Sequence, residues 1–220
     1  MNKRMGETLF LSEIFESIQG ETSLSGLMTT FLRLSGCPLR CAWCDSSYTF
    51  EQGTPYSFVE LFRQIESFGW RYVCITGGEP LLQKPVIPFM EALLQKNYKV
   101  SLETSGALST EAVPEKVVTI LDVKCPGSGM SQKNIFENFE RLRPHDQVKF
   151  VLADRTDYEW AKTILSQYAL SSKVAEVLFS PAWDFLSPQE LITWIKQDKL
   201  DVRLNLQLHK YVWGASTRGV

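Results

Sequence analysis

Short apolar runs recur along this chain, and most are followed at once by a cluster of glycine, cysteine or polar residues. The strand-like runs are Phe31 to Ser35, Tyr72 to Thr76, Lys99 to Glu103, Val117 to Val123, Gln147 to Leu152, Val174 to Phe179 and Val202 to Leu206. Helix-like stretches separate several of them: Ser57 to Phe68, Lys84 to Gln95, Ile135 to Leu142, Asp154 to Tyr168 and Ser187 to Gln197. Ser57 with Glu60 three residues on is a capping box, and Asp154 is placed to cap the fourth helix. Continuous apolar runs between helices argue for parallel strands buried on both faces. The expected class is α/β, a right-handed βα series curling into an open, partial barrel, with a doubly wound open sheet as the alternative. The segment 104–116, broken by Pro114, is too short for a good crossover helix. No repeat, low-complexity tract or linker interrupts the sequence, so residues 1–220 read as one domain.

In parallel folds of this kind the working residues sit where strands hand over to loops at their C-terminal ends. Here those positions hold the cysteine loop, Thr76-Gly-Gly-Glu-Pro80, Glu103-Thr-Ser-Gly106, Asp122-Val-Lys-Cys-Pro-Gly-Ser128 and Ser180-Pro-Ala-Trp183. The cysteine loop carries Cys37, Cys41 and Cys44, three of the chain's five cysteines, too close in sequence for a disulfide framework. Neither His145 nor His209 lies near enough to complete a four-ligand zinc site. Three thiolates suit an iron–sulfur cube with one iron left open. A zinc knuckle missing a ligand, or incidental loop thiols, are the plainer readings. Cys74 reads as a core residue, and Cys125 as lying outside the ligand set.

Composition narrows the function further. A net charge of -2, with 22% charged and 44% hydrophobic residues, gives no broad reason to bind nucleic acid or a membrane. No apolar run is long enough to span a bilayer, and Met1 to Glu7 lacks the apolar core of a leader. Free thiols meant for a cluster require a reducing compartment, so a cytoplasmic location is expected.

The Cys-x-x-x-Cys-x-x-Cys spacing and Gly77-Gly78-Glu79-Pro80 resemble the radical S-adenosylmethionine (SAM) superfamily. Ile18-Gln-Gly-Glu21, Arg33, Asp45-Ser46 and Gln207-Leu-His209-Lys210 narrow the resemblance to the 7-carboxy-7-deazaguanine synthases, over essentially the whole chain. The resemblance implies an abbreviated partial barrel and a [4Fe–4S] cluster on Cys37, Cys41 and Cys44, with SAM on the open iron. It implies ring contraction of 6-carboxy-5,6,7,8-tetrahydropterin to 7-carboxy-7-deazaguanine with loss of ammonia, feeding queuosine and other deazapurines. Trp43, Cys44, Asp45, Gly78, Glu103, Ser105, Asp122, Val123, Lys124, Ser180, Pro181, Ala182 and Trp183 would then surround the cofactor. Ser46 would offer its hydroxyl to a magnesium ion. Ile18, Gln19, Gly20, Glu21, Arg33, Thr76, His209 and a terminal carboxylate at Val220 would surround the pterin.

Chemistry supports parts of that assignment. A pterin presents an amide and an amino group, which an amide side chain and a carboxylate can read. Arg33 is a permanent charge in an otherwise apolar run, so an anionic partner is expected, with the substrate carboxylate as the candidate. The expected partners are that small molecule, a one-electron donor such as flavodoxin or ferredoxin, and a second copy of the chain in a homodimer. A glycyl-radical activating enzyme shares the cysteine spacing but should lack Gln19, Arg33 and His209. A metal-binding module without activity would never cleave SAM. No acid–base pair stands out for ammonia loss.

Overall fold

The computed structural model describes residues 7–220, so residues 1–6 of the stretch read for a leader lie outside it. One nine-stranded sheet runs through the molecule in the order β3-β1-β2-β4-β5-β6-β7-β8-β9. Its strands are β1 (Thr8–Ile18), β2 (Met28–Leu34), β3 (Thr54–Ser57), β4 (Tyr72–Gly77), β5 (Lys99–Thr104), β6 (Val118–Val123), β7 (Gln147–Leu152), β8 (Glu176–Pro181) and β9 (Arg203–Leu204). From β2 onward, with β3 set aside, every neighbouring pair is parallel. The end strands β3 and β9 do not meet, so the barrel is open, as expected.

The sequence reading did not place the antiparallel edge. Strand β1 pairs with β2 on one side and β3 on the other. Its register to β2 slips at Ser12: Leu11 faces Leu34, while Glu13 faces Arg33. Such a bulge inserts one residue and turns the rest of the strand over. Leu9 and Leu11 therefore lie in the core, whereas Glu13 and Phe15 leave it although their parity is the same, and Ile14 now packs on the core side.

Four helices cross between strands: α1 (Phe58–Phe68), α2 (Val86–Gln95), α3 (Arg155–Gln167) and α4 (Pro188–Asp198). Helix α1 has the expected capping box, with Ser57 N–H donating to Glu60 Oε2 at 2.7 Å and Glu60 N–H to Ser57 Oγ at 3.4 Å. It ends on Gly69 in the left-handed region, and it buries Phe58, Leu61, Phe62 and Ile65, a stripe at helical spacing. Asp154 caps α3 through the Asp157 N–H, and Ser187 caps α4 through the Glu190 N–H. A short α5 (Leu208–Trp213) closes the described chain.

Two crossovers have no α-helix. Residues 105–117 follow the expected broken path, but Ile135 to Leu142 is not an α-helix: only Phe136–Glu140 turns, as a 3-10 segment. Asn138 explains the departure, because it is buried and spends its amide on the backbone of the preceding crossover. Its Nδ2 donates to Gly106 and Leu108 carbonyls, and its Oδ1 accepts from Thr110 N–H. A mid-segment Asn that bonds the neighbouring loop competes with helix formation.

Two apolar clusters fill the molecule. One joins α1 and α2 to β1, β2, β4 and β5, and the other joins α3 and α4 to β6, β7 and β8. No helix among the described residues is long and apolar enough to cross a membrane.

Candidate active site

Because β2 and β4 to β8 run parallel, their C-terminal ends share one rim. A cavity of ~580 Å³ opens there, within the usual range for small-molecule sites. Its wall includes all three motif cysteines, Gln19, Glu21, Arg33, Asp45, Ser46, Gly78, Glu103, Asp122, Lys124, Trp183, His209 and Val220. Ile18, Gly20, Trp43, Thr76, Ser105, Ser180, Pro181 and Ala182 line it as well. Of the expected site residues only Val123 keeps its side chain elsewhere. Strand alternation points Asp122 and Lys124 to the cavity and Val123 into the second apolar cluster.

The glycines set the floor of the thiol side. A Cβ on Gly77 would lie 2.2 Å from the Leu34 carbonyl oxygen, and one on Gly78 would lie 2.2 Å from that of Gly36 and 2.9 Å from Cys37 Cβ. The Gly78 N–H donates to Leu34 and the Glu79 N–H to Gly36 at 2.8 Å, so the end of β4 is knitted onto the start of the cysteine loop. Glu79, fully buried, then ties this corner to β5. It accepts from Leu81 N–H, Thr104 Oγ1, Ser105 N–H and Ser105 Oγ. Ser105 thus spends its hydroxyl proton on Glu79 while lining the cavity.

Burial pushes the Cys37 and Cys41 thiols up, so as free side chains both are protonated at neutral pH. Metal binding must displace those protons. No set of three His, Cys, Asp or Glu among the described residues is gathered tightly enough for one metal ion. All three motif thiols nonetheless line the same cavity. Cys74 and Cys125 are buried in the interior, and burial raises both thiols well above their ordinary value. The residues present fit a cluster with SAM: soft thiolates, a backbone approach that only glycine permits, and Asp122 Oδ1, a buried acceptor with no partner among the described residues.

The same cavity has a polar lining as well. Gln19 Nε2 donates to Glu103 Oε1 at 3.2 Å, and Thr76 Oγ1 donates to Glu103 Oε2 at 3.1 Å. Gln19 Oε1 meanwhile accepts from Glu21 N–H, which folds the loop back on itself. Gly20 has to be glycine, since a Cβ there would lie 2.0 Å from His209 Nδ1. The Leu208 N–H donates to the Gly20 carbonyl at 2.8 Å, which pins α5 against this loop. Burial lowers His209, so its imidazole is neutral at and above its ordinary value of 6.5.

Arg33 has the anionic partner its placement demands, and that partner is Glu13. Its Nε donates to Glu13 Oε1 at 2.6 Å, and Tyr48 Oη donates to the same oxygen at 2.7 Å. Burial and Glu13 push the Tyr48 phenol up to about 12 against the opposing charge of Arg33. The Phe15 and Phe31 rings stack beneath, 5.0 Å apart, and the guanidinium lies over Phe15. Among the described residues the terminal nitrogens of Arg33 have no hydrogen-bond acceptor.

Lys149 lines the cavity and was not foreseen; Gln207 and Lys210, quoted in the motif but given no role of their own, line it too, and Asn205 stands behind Glu21 without lining it. Lys149 and Lys210 are buried. A lysine inside the apolar run Gln147–Leu152 was the available signal for the first. Lys210 Nζ reaches Asp45 Oδ2 at 3.1 Å, and Gln207 Nε2 donates to both Glu21 and Asp45. Burial would raise Asp45, but Lys210, Ser46 and Gln207 hold its carboxyl at about 2. Ser46 Oγ donates to Asp45 Oδ1 at 3.0 Å.

The Radical SAM superfamily model matches residues 32–157. A 7-carboxy-7-deazaguanine synthase from Koribacter versatilis is 46% identical, over 96% of this chain and 99% of that protein. The protein of the same name from Chlorobaculum tepidum is 39% identical, over 96% and 97%. The crystal structure of QueE from Escherichia coli superposes with a TM-score of 0.76 at 23% identity, covering 94% of this chain and 99% of that one. At that identity the likeness speaks for the fold.

Proposed function

The chain belongs to the 7-carboxy-7-deazaguanine synthase family of the radical SAM superfamily, and from that premise we propose that it contracts 6-carboxy-5,6,7,8-tetrahydropterin to 7-carboxy-7-deazaguanine with release of ammonia. The observation that carries the reading is one cavity lined both by the three motif thiols and by Arg33, Gln19, Glu21 and His209. A glycyl-radical activating enzyme has no use for that polar set.

Cys37, Cys41 and Cys44 hold the [4Fe–4S] cluster, and Gly78, Glu103, Ser105, Asp122, Lys124 and Ser180 to Trp183 surround SAM, with Trp43, Asp45 and the Val123 backbone beside them. Bound together, cluster and SAM supply one-electron radical chemistry that no side chain can perform. The protein's part is orientation and exclusion of water. Arg33 turns its free nitrogens to the substrate carboxylate, a fork well matched to two oxygens. Gln19 and Glu21 read the amide and amino edge, with Ile18, Gly20, Thr76, His209 and Val220 shaping the remainder. Asp45 is committed to Lys210 and Gln207, so a magnesium ion would rest on the Ser46 hydroxyl and on ligand oxygens. A one-electron donor such as flavodoxin or ferredoxin, a reducing cytoplasmic setting and a homodimer complete the proposal.

The test is anaerobic reconstitution, chemical reduction, and mass spectrometry of products formed with SAM and the carboxypterin. Formation of 7-carboxy-7-deazaguanine, lost in Cys41→Ala and kept in Cys74→Ala, is expected. SAM cleavage with no conversion of the pterin would overturn the substrate assignment.

A further inference from the structure

Lys149 occupies a position that invites a specific role. It points from the middle of β7 into the cavity, where strand packing would ordinarily place an apolar side chain. Its Nζ lies 3.0 Å from Glu21 Oε2 and 3.4 Å from Asp122 Oδ2, and Asp122 Oδ2 is also 3.0 Å from Lys124 Nζ. Glu21 in turn accepts from Asn205 Nδ2 and Gln207 Nε2. Charges of alternating sign thus run Lys124, Asp122, Lys149, Glu21 along the cavity floor. The only side chain in this row that joins the cofactor side to the loop carrying Gln19 and Glu21 is Lys149.

We propose that Lys149 is a positioning residue for the heterocycle: its ammonium, fixed between Asp122 and Glu21, holds Glu21 ionised and aimed at the N–H edge of the ligand. The inference rests on Glu21 contacting the substrate. Glu21 is enclosed by protein, and burial alone would push its carboxyl up; the attraction and hydrogen bond of Lys149 reverse the direction. The other groups facing this pair are His209 from α5, Asp45 from the cysteine loop and Glu103 from β5. Asp45 disfavours an ionised Glu21, and His209 favours it less than Lys149 does, an effect that fades as its imidazole, lowered by burial, loses its proton. Lys149 itself is held charged, well above its ordinary value, because its two carboxylates outweigh burial. A proton so firmly held is a poor one to donate, which favours a fixed charge over an acid.

Removing the cation should let burial raise Glu21, as it does for isolated buried carboxylates. Glu21 then protonates as pH falls, and the acceptor for the ligand's N–H groups is lost. The experiment measures carboxypterin binding by calorimetry to unreduced holoprotein with SAM, where no turnover occurs, between about pH 6.5 and 8.5. For Lys149→Met the ratio of its Kd to that of the wild type should grow about tenfold as pH falls across that window. Lys149→Arg should keep the ratio flat, and Glu21→Gln should weaken binding by a pH-independent factor that adding Lys149→Met does not enlarge. Unchanged binding in Glu21→Gln sinks the underlying contact. Weakened binding in Glu21→Gln with a flat ratio in Lys149→Met overturns the role of Lys149 alone. If circular dichroism shows Lys149→Met unfolded, the pair Asp122→Asn with Lys149→Met, which relieves one carboxylate, is read the same way.

Discussion

Arg33 shows how much one residue can disclose and where it stops. A guanidinium in an apolar run has to find an anion, because an unpaired buried charge is costly. The sequence alone therefore predicts a partner. It could not name Glu13, since that pairing depends on a bulge twenty residues upstream. The observed pair gives Arg33 two duties, one toward Glu13 through Nε and one toward the substrate through its terminal nitrogens. They can be separated. Arg33→Ala should lower kcat/KM for the carboxypterin by about 30-fold or more, the scale of losing one member of a desolvated charge pair at roughly 2–5 kcal/mol. It should also destabilise the fold, because among the described residues Glu13 is left with Tyr48 as its one remaining donor. Adding Glu13→Gln should restore most of the stability in a urea titration and none of the activity. If the double variant regains turnover, Arg33 serves the fold and the carboxylate contact is wrong. Gly20 is legible in a different way. Its need to be glycine comes from His209, some 190 residues downstream, and no local signal could have said so.

At the scale of elements, the strongest local signals were read correctly because they are local. The capping box at Ser57 and Glu60, the Asp154 cap and the continuous apolar runs of β4, β7 and β8 each carry their reason within a few residues. Strand β1 escaped because its alternation changes phase. Leu9 and Leu11 mark one parity for the core, Ile14 the other, and Ser12 between them absorbs the change. A period-two search sees two weak fragments where the chain forms one strand of eleven residues. The slip is also what lets Phe15 line the cavity although it shares the parity of Leu9 and Leu11. Deleting Ser12 would make Leu11 and Glu13 neighbours, which ordinary alternation places on opposite faces, so Leu9 and Leu11 stay in the core and Phe15 stays at the cavity. Ejecting two buried leucines would cost roughly 3–6 kcal/mol at the usual value for each side chain, and the deletion avoids that loss. The deletion should therefore keep a cooperative urea transition, and Ser12→Ala should shift stability by less than about 0.5 kcal/mol. A deletion variant that loses its transition would show that the bulge itself, and not the alternation on either side of it, holds the strand.

For the molecule as a whole, the two apolar clusters support the fold while the polar rim between them supports the chemistry, and the last fourteen residues belong almost wholly to the second task. Residues 207–220 bury only one side chain outright, Lys210, and Leu208, Tyr211, Val212 and Trp213 stay exposed. Yet this segment supplies Gln207 to Glu21, Lys210 to Asp45, His209 to the notch at Gly20 and Val220 to the cavity wall. Removing 207–220 should therefore cost little stability, about 1–2 kcal/mol or a few degrees in Tm for a chain of this size. The thiols are untouched, so iron and sulfide content after reconstitution should match the full chain. What should vanish is the pterin-dependent rise in Tm. In the full chain, carboxypterin at a hundredfold excess over Kd adds about 2.7 kcal/mol, or roughly 5–10 °C. A truncated chain that loses its cooperative transition would place α5 in the folding core, contrary to its exposure. One that keeps the full pterin-dependent shift would remove α5 from the site. The expected result, a folded and iron-loaded chain blind to the pterin, would show that the stability of this enzyme and its recognition of substrate reside in different parts of the chain.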